Sequence, residues 1–363
     1  NSLCKFYYSA ILKEHIARAV DLLSDIVFHS VYPQAEIDKE VEVICDEIES
    51  YNDSPAELIY DEFENILFKG SSLGHNILGT AEQVRSFTTE DALRFTRKLY
   101  RPDNAIFFAY GDIDFKKLVK LVGRALADDD SGKLAEEDCH ADFSGGTGFA
   151  GDENSITTEK SVSSVKSVGP KNYPSVGEEI AGQTIVMQKN THQAHVMIGT
   201  RAYDVNDDRR MPLYLLNNIL GGPGMNAKLN LALREHNGLV YTVESTMVAY
   251  GDTGTWSIYF GCDEHDIKRC LRLVRKELDR MMEKPLSDSQ LKAAKKQIKG
   301  QIGVACDNRE NFALDFGKSF LHYGWEKNVD CLYEQVEAIT SQQIQDVARE
   351  LFDKNRLITL IFK

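Results

Sequence analysis

Apolar residues recur every three or four positions through much of the first third of the chain, which is the spacing of an amphipathic helix. This pattern predicts helices over about 15–29 and 36–51, from 54 onward, after 79–80, over 87–100 and over 115–126. At the third of these, Ser54 is expected to cap the helix, Pro55 suits its first turn, and Glu57 would complete a capping box. Helical periodicity therefore dominates this part of the chain.

Short apolar runs bounded by turn residues predict strands. The chain opens on the strand-like run "KFYYSAI", and "NAIFFAYGD" at 104–112 is typical of a buried strand that ends in a turn. Strand patterns return at 182–190 and 192–200, and from there helices and strands alternate to the end of the chain.

The composition and periodicity of the sequence change between about 127 and 179, where the chain becomes polar, rich in glycine and serine, and weakly periodic. We predict an N-terminal domain at 1–127, a linker or surface excursion at 128–180, and a C-terminal domain at 181–363. The two domains resemble each other, because 87–111 aligns with 339–363 across a single-residue gap. This similarity indicates two copies of one αβ unit, and hence an α+β fold.

The composition argues against several classes of function. The net charge of −14 argues against nucleic-acid binding, which needs clustered Lys and Arg. No window approaches the roughly 18 apolar residues of a membrane span. Seven scattered cysteines without a CxxC pair favour reduced thiols, so we expect a cytoplasmic protein that binds neither nucleic acid nor membrane. The chain begins at Asn1 without a Met, so the absence of a targeting segment carries little weight here.

The helix predicted at 36–51 is unusually acidic. At about 100° per residue its apolar positions form one stripe, made of Ile37, Val41, Ile44 and Ile48. Three of its acids, Glu42, Asp46 and Glu49, lie on the opposite side and are expected to be solvated.

Glu40 and Glu47 are different, because they stack two turns apart at the border of this stripe. A carboxylate there is expected to be partly desolvated and to need a cation. That cation is either a Lys or Arg side chain or a metal ion. In the second copy of the repeat, Ala294 and Gln301 take their places while the apolar stripe survives. The fold therefore does not require the two acids, which favours a functional role.

Three motifs resemble those of the pitrilysin-like zinc metallopeptidases, the inverzincins, which include insulin-degrading enzyme and the mitochondrial processing peptidase. "EVEVICDE" is similar to the distal metal-binding helix of that family. "LREHNGLVYTV", which places Arg234 seven residues before Tyr241, is similar to its substrate-binding Arg–Tyr pair. The preceding "LGGPGMNAKLNLALRE" resembles the family's Gly-rich loop, although Pro223 interrupts the glycines.

The resemblance implies a role for each of these residues. Glu47 matches the third zinc ligand, and Glu40 matches a supporting acid of the catalytic site. Arg234 and Tyr241 would bind the substrate backbone and stabilise the tetrahedral intermediate, with Gly221 and Gly222 beside them. Each domain would be a mostly antiparallel sheet flanked by helices, and the two would face each other around a cavity.

Ordinary structural roles are the alternative for several of these residues. Arg234 can sit near a helix C-terminus with Gly238 as the residue that ends the helix, and Tyr241 can be a strand aromatic. The pair in "HQAH", His192 and His195, lies in a strand pattern that puts the two side chains on opposite faces, so a structural role is expected.

The family's H-x-x-E-H motif is absent from the nine histidines of the sequence. Either an N-terminal segment holding it is missing from this chain, or the protein is a metal-free relative. The start of the chain and the presence of both Glu40 and Glu47 favour the first explanation.

The resemblance then implies that the parent protein is a zinc-dependent metalloendopeptidase that cleaves peptides or unfolded polypeptides. These 363 residues alone lack two zinc ligands and the general base, so this chain is expected to be inactive. The alternative is a non-catalytic subunit or peptide-binding scaffold of the same family. Pairing into a homodimer, or into a heterodimer with a related subunit, is implied by the resemblance alone.

Overall fold

Helices alone make up the regular structure of residues 5–127 in this computed structural model, which describes 5–127, 181–189, 191–324 and 328–363. They are α1 (Ile16–Phe28), α2 (Gln34–Asn52), α3 (Pro55–Leu67), α4 (Ala81–Arg85), α5 (Thr89–Leu99) and α6 (Phe115–Ala127), with short 3₁₀ turns at Lys13–His15 and Pro102–Asn104. All six predicted helices are confirmed. The predicted linker at 128–180 lies outside the described residues.

The capping box predicted for α3 is wrong, although Pro55 does occupy the first turn. The Ser54 side chain makes no capping hydrogen bond. The reason is local, since the backbone carbonyl of Ser54 already accepts the Glu57 amide at 3.1 Å. Capping boxes do form at other helices, for example at α4 between Thr80 and Gln83.

One mixed unit follows in the second half of the chain. Its elements are β1 (Thr184–Met187), β2 (Ala194–Ala202), α7 (Arg210–Gly221), a π-helix (Asn230–Glu235), β3 (Val240–Ala249), β4 (Gly254–Cys262), a 3₁₀ turn (Glu264–Asp266), α8 (Ile267–Glu283), α9 (Asp288–Asp307), α10 (Arg309–Tyr323), α11 (Val329–Ala338), α12 (Ser341–Leu351) and β5 (Ile358–Phe362). The five strands form one sheet in the order β1-β5-β2-β4-β3. Only β1 and β5 pair in parallel, so the predicted mixed class with a mostly antiparallel sheet is confirmed for this unit.

Both faces of this sheet are covered. Helices α7, α8 and α12 pack on one face around Trp256 and Phe260, neither of which is exposed to solvent. Helix α3 packs on the other face, where Phe63 and Leu67 meet Met197 and Phe362. A helix from the first third of the chain therefore completes the core of the second half.

The strand predicted at 104–112 does not form. Ala105 has extended backbone angles (φ −130°, ψ 153°), but the described part of residues 5–127 contains no strand for it to pair with. Side chains of this segment contact α10 instead, with the rings of Phe108 and Phe316 5.0 Å apart. The repeat counterpart becomes β5, because β1 and β2 hydrogen-bond to it on either side.

Polar contacts join α3 to the sheet beside its apolar core. The Tyr60 hydroxyl donates a short hydrogen bond to Glu244 on β3. The Tyr250 hydroxyl donates to Glu64 Oε1 at 2.9 Å. Burial raises the pKa of Glu64 above its ordinary value of 4.5, and the hydrogen bond from Tyr250 only partly opposes this.

Replacing Glu64 with Gln is expected to stabilise the protein at pH 7. Because folding raises the pKa of Glu64, its ionised carboxylate destabilises the folded state above the folded pKa. This cost disappears as the pH falls through the folded pKa toward 4.5 and the carboxyl becomes protonated. The advantage of Gln should therefore shrink on acidification and vanish below that pH. Urea midpoints at pH 7 and near pH 4 measure it, with Glu49→Gln on the exposed face of α2 as control. An equal shift at both pH values would contradict this account.

Every helix in the described ranges is too short or too polar to cross a lipid bilayer.

Candidate peptide-binding site

A cleft with a volume of about 670 Å³ lies along β3, the strand at one edge of the sheet. It is lined by all four residues predicted to bind substrate: Gly221, Gly222, Arg234 and Tyr241. The structure thus brings together the C-terminal half of the predicted site. Five consecutive residues of the edge strand, 241–245, border the same cleft.

Arg234 and Tyr241 face each other at this cleft. The guanidinium carbon of Arg234 lies 5.9 Å from the centre of the Tyr241 ring, which is within cation–π range. Tyr241 is 84% exposed, so it is not the packed strand aromatic of the alternative interpretation. Arg234 Nε lies 3.7 Å from Glu235 Oε1, a loose pair that leaves other N–H groups of the guanidinium for a ligand.

The helix that carries Arg234 is a π-helix, a rare form that is frequent at functional sites. Arg234 lies in its last turn, and Gly238 beyond it has a left-handed backbone (φ 60°). The Gly238 amide donates to the Arg234 carbonyl at 2.8 Å. The helix-end geometry of the alternative interpretation is therefore present, and it directs the guanidinium to the cleft.

Glu40 and Glu47 lie outside this cleft. Both are exposed on α2, and neither has a hydrogen-bond or ion-pair partner among the described residues. Among the described residues the two acids are therefore exposed rather than partly desolvated, and they do not line the cleft of Arg234 and Tyr241. Their roles at a metal site stay predictions. The apolar stripe does pack against α4, with Val41 and Ile48 buried beside Val84, but no described element covers the flank that bears the two acids.

A zinc site around Glu47 is not formed by the described residues. Their one group of three or more clustered metal-capable side chains is Asp263, His265 and Asp266, a surface cluster that does not include Glu47. His195 bonds through Nδ1 to the Tyr259 hydroxyl at 2.9 Å, and burial lowers its pKa. Its position agrees with the structural role expected for it.

Comparison with known proteins identifies the family. The profile described as "Peptidase M16 inactive domain" matches residues 86–298, more than half of the chain, and "Insulinase (Peptidase family M16)" matches 4–81. The chain belongs to peptidase family M16. Arg234 and Tyr241 fall within the first of these matches, and Glu40 and Glu47 within the second. The family resemblance predicted from the sequence is confirmed.

Relatives of this M16 chain are named as zinc proteases. An uncharacterized zinc protease of Bacillus subtilis is 26% identical over 358 residues, covering 98% of this chain and 77% of its own length. One from Streptomyces coelicolor is 27% identical, covering 98% and 71%. This chain thus spans about three quarters of the length of either relative.

Solved structures show the same fold. A protease from Helicobacter pylori matches with a TM-score of 0.77 at 17% identity, covering 96% of this chain and 77% of that one. A peptidase M16 inactive domain from Pseudomonas fluorescens matches with a TM-score of 0.71 at 15% identity, covering 95% and 74%. At these identities the likeness concerns the fold alone.

Gly221 and Gly222 line the cleft and also allow close packing around it. A Cβ on Gly221 would lie 2.5 Å from the backbone nitrogen of Ser245, so the end of α7 touches β3. A Cβ on Gly222 would lie 2.7 Å from the Asn218 carbonyl oxygen. Both distances are shorter than an ordinary van der Waals contact. With this backbone, a residue larger than glycine would clash at either position.

We expect Gly221→Ala to destabilise the protein by about 1–3 kcal/mol, because the methyl group can be accommodated only by moving α7 or β3. Gly251→Ala is the control, since no atom lies within 4 Å of its added Cβ. Chemical denaturation of the two variants measures the difference. Equal stabilities would show that α7 and β3 are not in close contact in solution.

Sequence reasoning missed the side-chain amides around the glycines, notably Asn218 and Gln301, which are joined by a hydrogen bond. One sequence signal pointed to Gln301, because it occupies the place of Glu47 in the second repeat. It was interpreted as the loss of an acid rather than the gain of an amide.

Proposed function

We propose that this protein takes part in zinc-dependent hydrolysis of peptides or unfolded polypeptides, and that the cleft beside β3 holds the peptide. The observation that carries the proposal is the placing of Arg234 and Tyr241 opposite each other at an open cleft. The naming of relatives as zinc proteases supports the reaction class.

The chemistry of the cleft suits a peptide backbone. A guanidinium presents several N–H donors and a phenol presents one O–H donor, and both match the carbonyl oxygens of an extended peptide. Donors held in this way also stabilise the negative charge that develops on a carbonyl oxygen during amide hydrolysis. Arg234 and Tyr241 are thus proposed to bind the backbone and to stabilise that charge.

Glu47 lies apart from any complete set of zinc ligands among the described residues. A catalytic zinc ion is ordinarily held by three protein ligands and a water molecule. Glu47 is proposed as one such ligand and Glu40 as its support, but the described residues place no histidine beside them. We therefore assign no step of hydrolysis to either acid in this chain.

A second candidate function is a non-catalytic M16 subunit that binds peptides, alone or paired with an active relative. The exposure of Glu47 and the absence of H-x-x-E-H from the 363 residues favour it. Both functions predict peptide binding without hydrolysis by these 363 residues, and the non-catalytic function alone predicts it for the parent protein as well.

A peptide-binding and zinc titration tests the proposal on the 363-residue chain. We expect a fluorescein-labelled, unstructured peptide to bind with the same affinity after EDTA dialysis as in added zinc, and mass spectrometry to find it intact. Glu47→Gln should leave the affinity unchanged, because Glu47 lies outside the cleft. Absence of peptide binding would refute the assignment of the cleft. Stoichiometric zinc with hydrolysis would show that the 363 residues contain a complete metal site that we have not identified.

A further inference from the structure

Two pairs of side-chain amides join helix α9 to the last turns of α7 and to the glycine-rich loop that follows it; we call Asn218, Asn226, Gln297 and Gln301 the amide clamp. Asn218 Nδ2 donates to Gln301 Oε1 at 2.7 Å. Asn226 Nδ2 donates to Gln297 Oε1 at 3.0 Å. Gln297 and Gln301 are four residues apart on α9, so both project from one face of that helix.

The glycines of the loop leave room for these amides. The nearest atoms to a Cβ on Gly222 would include Asn218 Nδ2, at 2.7 Å. A Cβ on Gly224 would lie 2.4 Å from Asn226 Oδ1 and 2.8 Å from Gln297 Nε2. Each pair of the clamp therefore passes a glycine, and a side chain there would push the pair apart.

The clamp connects to Arg234 through the loop. Asn230, the first residue of the π-helix, donates from its side chain to the backbone carbonyl of Met225 at 3.1 Å. Met225 precedes Asn226 of the clamp, and Arg234 lies one turn after Asn230. Two hydrogen bonds, joined by the peptide link between residues 225 and 226, thus connect Gln297 of α9 to the helix that carries the guanidinium.

We propose that Gln297 and Gln301 are positioning residues of the peptide cleft, which hold the loop and the π-helix so that Arg234 stands opposite Tyr241. The inference rests on the proposed function of the cleft. The position aligned with Glu47 thus carries Gln301, an amide that bonds Asn218 near the end of α7.

Hydrogen–deuterium exchange and peptide affinity together test this inference on the 363-residue chain. Gln297 bonds Asn226 of the loop and does not line the cleft. Gln297→Leu should speed exchange of the loop amides in 221–230 about tenfold and leave β2 unchanged. The same variant should weaken binding of the unstructured peptide by up to about tenfold. Gln297→Glu keeps an oxygen acceptor for Asn226 and should restore both properties to near the original values. Gln342→Leu, on exposed α12, is the matched control.

A double variant separates positioning from general stability. If Gln297 acts through Arg234, adding Gln297→Leu to Arg234→Ala should weaken binding no further, whereas independent effects would multiply. Unchanged loop exchange, unchanged affinity or multiplied losses would each overturn the inference. Failure of the unmodified chain to bind peptide would refute the proposed function and the positioning role with it. In that case the exchange data would still show whether the clamp holds the loop.

Discussion

Replacing Arg234 with alanine is expected to weaken peptide binding about tenfold to a hundredfold, because a charged donor to the peptide carbonyls is lost. Arg234→Lys keeps the charge but loses the planar fork of donors, so it should recover only a small part of the affinity. Fluorescence anisotropy with a labelled, unstructured peptide measures both variants. Arg272→Ala is the control, because Arg272 is an exposed arginine on α8 that does not line the cleft.

The lysine variant decides between the two interpretations of Arg234. If Arg234 only complements the end of its helix, a lysine serves as well, since any cation there has a similar interaction with the helix dipole. Wild-type affinity in Arg234→Lys would therefore refute direct recognition of the peptide by the guanidinium.

Truncating Phe63 to alanine is expected to cost about 3–5 kcal/mol of folding free energy, the range for a buried phenylalanine. Phe63 is 2% exposed and belongs to the cluster in which α3 packs on the sheet. The loss should therefore affect the second half of the chain, although the substitution is in the first third. Urea denaturation followed by circular dichroism gives the change in free energy.

Phe87→Ala provides the comparison, because Phe87 is 54% exposed and removing its ring should change stability by well under 1 kcal/mol. A small effect at Phe63 would mean that α3 does not pack on the sheet in solution. The Tyr60–Glu244 contact would then also be absent, since both residues lie at the same interface.

Local patterns were sufficient where the neighbouring residues allow only one arrangement. The apolar stripe of α2 was predicted correctly, because helical spacing alone determines which side chains share a face. The capping box of α3 was predicted wrongly, since the backbone of Ser54 satisfied the same amide. Two equally local hydrogen bonds competed there, and the sequence motif does not show which one forms.

Predictions that depended on residues distant in the chain were correct in some cases and not in others. The segments 104–112 and 355–363 have similar apolar patterns, yet only the second becomes a strand, because only it has strands on both sides. Glu40 and Glu47 were assigned to a cavity from their place on the helix. Whether a border position is buried depends on what packs over it, and no described element covers these two.

The sequence by itself determined the helices, the M16 family and the partnership of Arg234 with Tyr241, since periodicity and motif spacing are properties of short segments. Only the tertiary structure decided that α3 completes the sheet's core, that the acids of α2 remain in solvent, and that amide pairs join α9 to α7 and to the glycine-rich loop. These features join residues that are distant in the chain, such as Tyr250 with Glu64 at a separation of 186. Such contacts depend on the packing of whole elements, which no local pattern encodes.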